Sequence, residues 1–240
     1  MKNVIALVSI AGIAAAASAV DFATDIDRSG YEIVGATGVS LDDGRVVRTT
    51  SQYDNTNAAT EGFFNIQGTQ NINTELEVLG FDDYSSIATN NILLEEFTFV
   101  GGVNSAGTFG PGPGGVVFFD FFDSSGAFVD GIGVILPEGG NFIWTLTAAT
   151  PFEIAADGFV QMSFDDEDLF STGTTAQTAQ WFSTADDALV GDNGLNNGFV
   201  SPGTGADLNF AFAITGTEVP TPGAAAVLGL AGLAATRRRR

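Results

Sequence analysis

Asn141-Phe-Ile-Trp-Thr-Leu-Thr147 places Phe142, Trp144 and Leu146 on one side of an extended chain and Thr145 and Thr147 on the other, because successive side chains of a strand point to opposite faces. A strand with one apolar face has to lay it against a core. Upstream, Val116-Val-Phe-Phe-Asp-Phe-Phe122 is apolar at nearly every position, which fits a central strand covered on both sides or an edge strand with an exposed aromatic row. Asp123-Ser-Ser-Gly126 supplies turn residues between this segment and residues 127–136, so the two are expected to pair as a hairpin.

The same punctuation runs outward in both directions. Short apolar segments at 45–50, 62–66, 93–100, 116–122, 127–136, 142–147, 159–164, 180–183 and 208–215 are separated by Gly, Asn, Asp, Pro and Ser. The chain carries 31 Gly and 21 Phe in 240 residues, and long runs of helix-forming Ala, Leu, Glu and Lys are missing between Val20 and Glu218. This composition predicts an all-β body over residues 20–214. A single β-sandwich of the jelly-roll type is the first expectation and an immunoglobulin-like sandwich the alternative; the pattern leaves strand order open. Residues 101–115, 172–178 and 191–205, the last with Asn193, Asn196 and Asn197, are expected to be surface loops, and 215–221 a linker.

The two ends do not belong to that pattern. At residues 1–19, Lys2 precedes an apolar run from Val4 to Ala17, and Ala17-Ser18-Ala19 offers the small residues a signal peptidase accepts, so this segment is expected to be a signal helix removed after Ala19. At residues 219–240, Val219-Pro-Thr-Pro222 is followed by an apolar stretch over 224–235 and then by Arg237, Arg238, Arg239 and Arg240. A helix of that apolar stretch rises only about 18 Å, short of a hydrocarbon core of about 30 Å. The segment suits a temporary or processed membrane stop, with the arginine block held on the cytoplasmic side; a simple tail anchor is the alternative.

This order of features resembles the PEP-CTERM sorting tail, here in a Val-Pro-Thr-Pro form, and the resemblance is confined to that end of the chain. It implies that Val219, Pro220, Thr221 and Pro222 are the signal read by an exosortase-type enzyme that cuts nearby. Thr221 stands where the family usually has Glu. The resemblance also implies export to the cell envelope or extracellular space, transient membrane insertion through the tail, and association with exopolysaccharide or biofilm.

Composition excludes several chemistries. All 29 acidic residues lie between Asp21 and Glu218, against Arg28, Arg45 and Arg48, so the body carries a formal charge of −26. Such a field repels nucleic-acid phosphates and offers no basic cluster from which counterion release could gain affinity. With no His, no Cys and no Lys in the body, the inventory excludes Ser-His-Asp triads, thiol nucleophiles, Schiff-base lysines, imidazole or thiolate metal sites and disulfides.

What remains is oxygen chemistry and aromatic faces. Asp165-Asp-Glu-Asp168 ends an apolar segment, and Asp165, Asp166 and Asp168 are hard ligands of the kind calcium prefers; a solvated turn is the competing reading. Asp25-Ile-Asp-Arg-Ser-Gly30 opens like a calcium loop, yet Ala36 occupies the place of the closing Glu. Asp82-Asp83, Asp120 with Asp123, and Asp186-Asp187 are expected at turns or strand ends. Among Trp144, Trp181, Tyr31, Tyr53 and Tyr84, any of which could stack on a sugar ring, Trp144 is expected in the core, and Trp181, beside Gln180, is the better glycan contact. The expected protein is exported and non-enzymatic. A carbohydrate-binding module is the alternative, followed by a secreted glycoside hydrolase that works with carboxylates alone.

Overall fold

The computed structural model describes residues 26–41, 51–56, 60–66, 78–105, 116–165, 177–184, 187–193, 198–201 and 204–220. Almost all of their regular structure is strand: β1 (Glu32–Ser40), β2 (Ser51–Asp54), β3 (Thr60–Ile66), β4 (Leu79–Ser85), β5 (Ile92–Ser105), β6 (Val116–Asp123), β7 (Phe128–Ile135), β8 (Gly140–Ile154), β9 (Asp157–Asp165), β10 (Gln177–Thr184), β11 (Gly198–Ser201), β12 (Thr204–Phe210) and β13 (Phe212–Glu218). The all-β expectation therefore holds. Segment 45–50 and both terminal segments lie outside the described residues, apart from Val219 and Pro220.

The pairings run around a circuit, and the sheet is mixed and bent into a near-barrel. One side holds β7, β6, β9, β4 and β11 in that order. The other is centred on β8 and β5, with β13 and then β10 meeting successive stretches of the same edge of β5. Two strands turn the corners. Glu32 to Gly35 of β1 pair parallel with β7, and Ala36 to Ser40 pair antiparallel with β8. At the opposite corner β12 pairs with β11 and, through Asn209 and Phe210, with β10.

The aromatic segment lies in β6, a central strand paired with β7 and β9, and side chains on both its faces are buried, with only the end residues Val116 and Asp123 escaping. Its inward set, Phe119 and Phe121, meets Phe97 and Phe99 from β5 at centroid distances of 4.6–5.5 Å, so the two sides of the bent sheet pack directly on each other. Trp144 and Leu146 join that core, as the alternation at 141–147 predicts, while Thr147 faces out.

The expected hairpin forms. Asp123 Oδ1 accepts from Ser125 N, Ser125 Oγ and Ala127 N at 2.6–3.0 Å, which closes the turn. Gly126 sits at φ +84°, a left-handed conformation that favours glycine.

Several expected loops are strands. Gly101 to Ser105 extend β5, Gly198 to Ser201 form β11, and Gln177 and Thr178 open β10. Asn193 is buried, accepting the Tyr53 hydroxyl at 3.1 Å; Asn196 and Asn197 lie outside the described residues. The linker expected over 215–221 is strand as far as Glu218. Thr215, Thr217 and Glu218 are paired in register with Glu96, Leu93 and Ile92, because the backbone groups of β13 are needed to complete the edge of β5.

Candidate functional site

Asp82, Asp83 and Asp120 are buried in mid-strand, where the sequence led us to expect turns or strand ends, and two of them gather donors from distant elements. The first is Asp120 of β6, fully buried on the outward face of its sheet, opposite Phe119 and Phe121. Arg28 reaches it with two donors, Nε to Oδ1 at 3.2 Å and Nη2 to Oδ2 at 2.7 Å. The Tyr31 hydroxyl adds a bond to Oδ1 and Gln161 Nε2 one to Oδ2, both at 2.6 Å. A buried carboxylate persists when a cation and hydrogen bonds replace its lost hydration, and here all four donors converge on it.

The backbone explains how Arg28 and Tyr31 arrive. Asp27 Oδ1 accepts from Ser29 N at 2.9 Å and Tyr31 N donates to Arg28 O at 3.1 Å, a tight turn that aims both side chains at the sheet. Tyr31 then lies over Gly131 of β7, where a Cβ would collide with its ring. Arg28 also stands over the Phe118 ring, 5.5 Å from its centroid. Burial, reinforced by the Asp120 charge, pushes the Tyr31 phenol well above its ordinary range, so it remains a donor to Asp120. Of the segment that opens like a calcium loop, Asp25 lies outside the described residues, Asp27 caps its own turn, and Ala36 lies within β1.

The second carboxylate is Asp82 of β4. Register with β9 puts Gly80, Asp82 and Tyr84 on the same side as the inward Met162 and Val160. Asp82 therefore points into the core, accepting backbone bonds from Asp83 N at 3.0 Å and from Phe210 N. Its carboxyl is raised well above the ordinary range by burial, which outweighs the backbone donors. The Tyr53 phenol is raised by its own burial first and by the Asp82 and Asp83 charges next.

These two acids do not form a hydrolytic pair. Gln161, which bonds Asp120, is in register with Phe81, so Asp120 and Phe81 share the outward face while Asp82 points inward. A glycosidic bond must lie between its two carboxyls, and here a sheet separates them.

The structure rearranges the other sequence-derived candidates. Trp181 is a correction: it is wholly buried, stacked on Phe210 at 4.3 Å and 12°, with Nε1 donating to Ala211 O at 3.3 Å. Period-two alternation puts Gln180 on the opposite face, so its polar neighbour says nothing about the indole. Tyr53 and Tyr84 are buried as well; Tyr31 is partly exposed and lies parallel to Phe128 at 6.3 Å. Asp165 ends β9 opposite Val116, whereas Asp166, Asp168 and Asp186 lie outside the described residues. Asp123 is at the turn as expected, and the donors around it, led by the Ser125 hydroxyl, hold its carboxyl below the usual range.

One polar cluster escaped sequence reasoning. At the end of β13, Glu218 Oε1 accepts from Thr89 Oγ1 at 2.6 Å, from Thr89 N at 3.2 Å and from Asn90 Nδ2. The next residue, Val219, donates its N–H to Asn91 O at 2.7 Å. Val219 and Pro220, the first two residues of the expected sorting signal, thus follow a fastened strand end, with Pro220 exposed. Thr221 and Pro222 lie outside the described residues.

No protein-family model matches the chain, and no curated protein matches it either.

Proposed function

We propose that this chain is an exported, non-enzymatic protein of the bacterial envelope or extracellular matrix, sorted through residues 219–240. The observation that carries the reading is the ordered tail itself: a proline-bearing signal, a short apolar stretch and four arginines, starting at the residue after the last strand of the body. Signal peptidase acting at Ala17-Ser-Ala19 and an exosortase-type enzyme reading Val219, Pro220, Thr221 and Pro222 are its processing partners, and exopolysaccharide is the surrounding it serves.

The body fits that role as an anionic, solvated cargo. Its described tryptophans are in the core, and the buried Asp82 and Asp120 are engaged in folding contacts. We read the bent sheet as a β-sandwich of jelly-roll type, on the support of two facing layers that share corner strands β1 and β12.

The test replaces Pro220 and Pro222 together by Ala in the producing bacterium. The parent is expected in the envelope or medium without its tail, and the variant is expected to accumulate unprocessed at the inner membrane. Equal distribution of the two chains would defeat the sorting proposal.

A further inference from the structure

We propose that the β4–β5 connection is a stop that sets how far into the chain the tail can be severed, with Thr89, Asn90 and Asn91 fastening Glu218 and Val219 at the end of a strand paired up to that point. The inference rests on the sorting reading above for its biological use, but its geometry is independent of it.

A peptidase needs a stretch of extended chain pulled free of other pairing, so cleavage concentrates where the backbone is exposed and unbonded. β13 offers no such stretch. Gly216, Thr217 and Glu218 are paired with Leu94, Leu93 and Ile92. Gln52 Nε2 of β2 donates to Gly216 O at 2.9 Å from the other side. The Thr217 hydroxyl donates to Glu95 Oε1 at 3.0 Å. The Glu218 carboxylate then receives its three donors from Thr89 and Asn90, and Val219 N its carbonyl from Asn91.

The connection that supplies these groups is itself anchored. Ser86 N donates to Ala156 O at 3.0 Å, Ile87 N to Gln52 O at 2.9 Å and Ala88 N to Ser86 Oγ at 3.2 Å. A strand end fastened to a fastened loop does not fray readily. Among the described residues the last backbone bond of this end is made by Val219 N, and the following residue, Pro220, has no N–H to place in a ladder. Severing the tail beyond this point leaves β13 whole; severing it before would strip the edge of β5.

The test uses the purified full chain under native conditions and a glutamyl endopeptidase, which cuts after Glu. The parent is expected to hold residues 219–240, and Thr89→Ala with Asn90→Ala to release them about tenfold faster. Cutting after Glu32, within β1 and bonded to Thr150 rather than to the β4–β5 connection, serves as the internal reference and should not change. Thr89→Val alone, which keeps the branched shape and loses the hydroxyl, should give a smaller rise in the same direction.

Release from the parent as fast as from the double variant would overturn the proposal, as would a matching rise after Glu32, since that reports general loosening. In producing cells the shortened chain should end at Val219 or later; an end at Glu218 or earlier overturns the proposal. Only full-length chain in those cells would sink the sorting reading instead, while the endopeptidase result still decides the stop.

Discussion

Replacing Arg28 by Met keeps most of the side chain's bulk over Phe118 and removes both donors to Asp120. The Asp120 carboxylate is then left fully buried with only Tyr31 and Gln161 to stabilise it. Breaking a buried pair by removing one partner costs roughly 3–5 kcal/mol. Two facts reduce that here: the Arg28 side chain is 25% exposed, so water screens part of the attraction, and two neutral donors remain. The expected loss is about 2–3 kcal/mol, which for a body of this size lowers Tm by roughly 5–10 °C.

Asp120→Asn in the Arg28→Met background removes the stranded charge, so the double variant should recover more than half of the loss. A thermal-melt cycle over the four proteins, repeated with urea, gives the coupling energy, expected at about 1.5 kcal/mol or more. An Arg28→Met variant within about 0.5 kcal/mol of the parent, or strictly additive single losses, would refute the claim that this turn is fastened to the sheet through Asp120.

Other consequences are open to the same instruments. Trp181→Ala, which empties a site between Phe119, Phe210 and Phe212, should cost about 3–5 kcal/mol and leave any glycan binding by the folded protein unchanged. Asp82 binds its proton more tightly folded than unfolded, so its contribution is fully present below the ordinary carboxylate value of 3.8 and is lost as pH rises toward its elevated folded value. Asp82→Asn should therefore flatten the fall of Tm with rising pH above 4, and an unchanged Tm-versus-pH profile would contradict the inward carboxyl. Thr98 Oγ1 is buried without a hydrogen-bond partner among the described residues, so Thr98→Val should stabilise the protein by about 0.5–1 kcal/mol in urea unfolding, and a loss of stability would contradict that placement.

How much of this was legible follows from what each residue shows its neighbours in sequence. The β6–β7 hairpin could be read because a segment apolar at nearly every position ends in Asp-Ser-Ser-Gly, turn residues that lead directly into a second apolar segment. β1 could not be read. Its Gly35, Ala36 and Gly38 look like loop residues, and because its two halves pair with different partners, neither half presents a long apolar face. β4 was hidden by Asp82-Asp83, since two adjacent acids normally mark a solvated turn; only register with β9 shows one of them turned inward. Arg28 and Asp120 are 92 residues apart, and local sequence carries no trace of their contact beyond Arg28 being one of three cations in the body. Trp181 was misjudged by giving weight to Gln180 rather than to period-two alternation, which puts the two on opposite faces. The Glu218 fastening joins a strand end to a loop 129 residues earlier, a distance over which composition and spacing say nothing.

The central claim is that an inert acidic body travels between two removable addresses. The most direct test is the intact mass of the protein recovered from the envelope and medium of the bacterium that makes it. The account predicts a chain that starts at Val20 and ends at or shortly after Val219; a cytosolic chain that still carries both Met1 and Arg240 would contradict it.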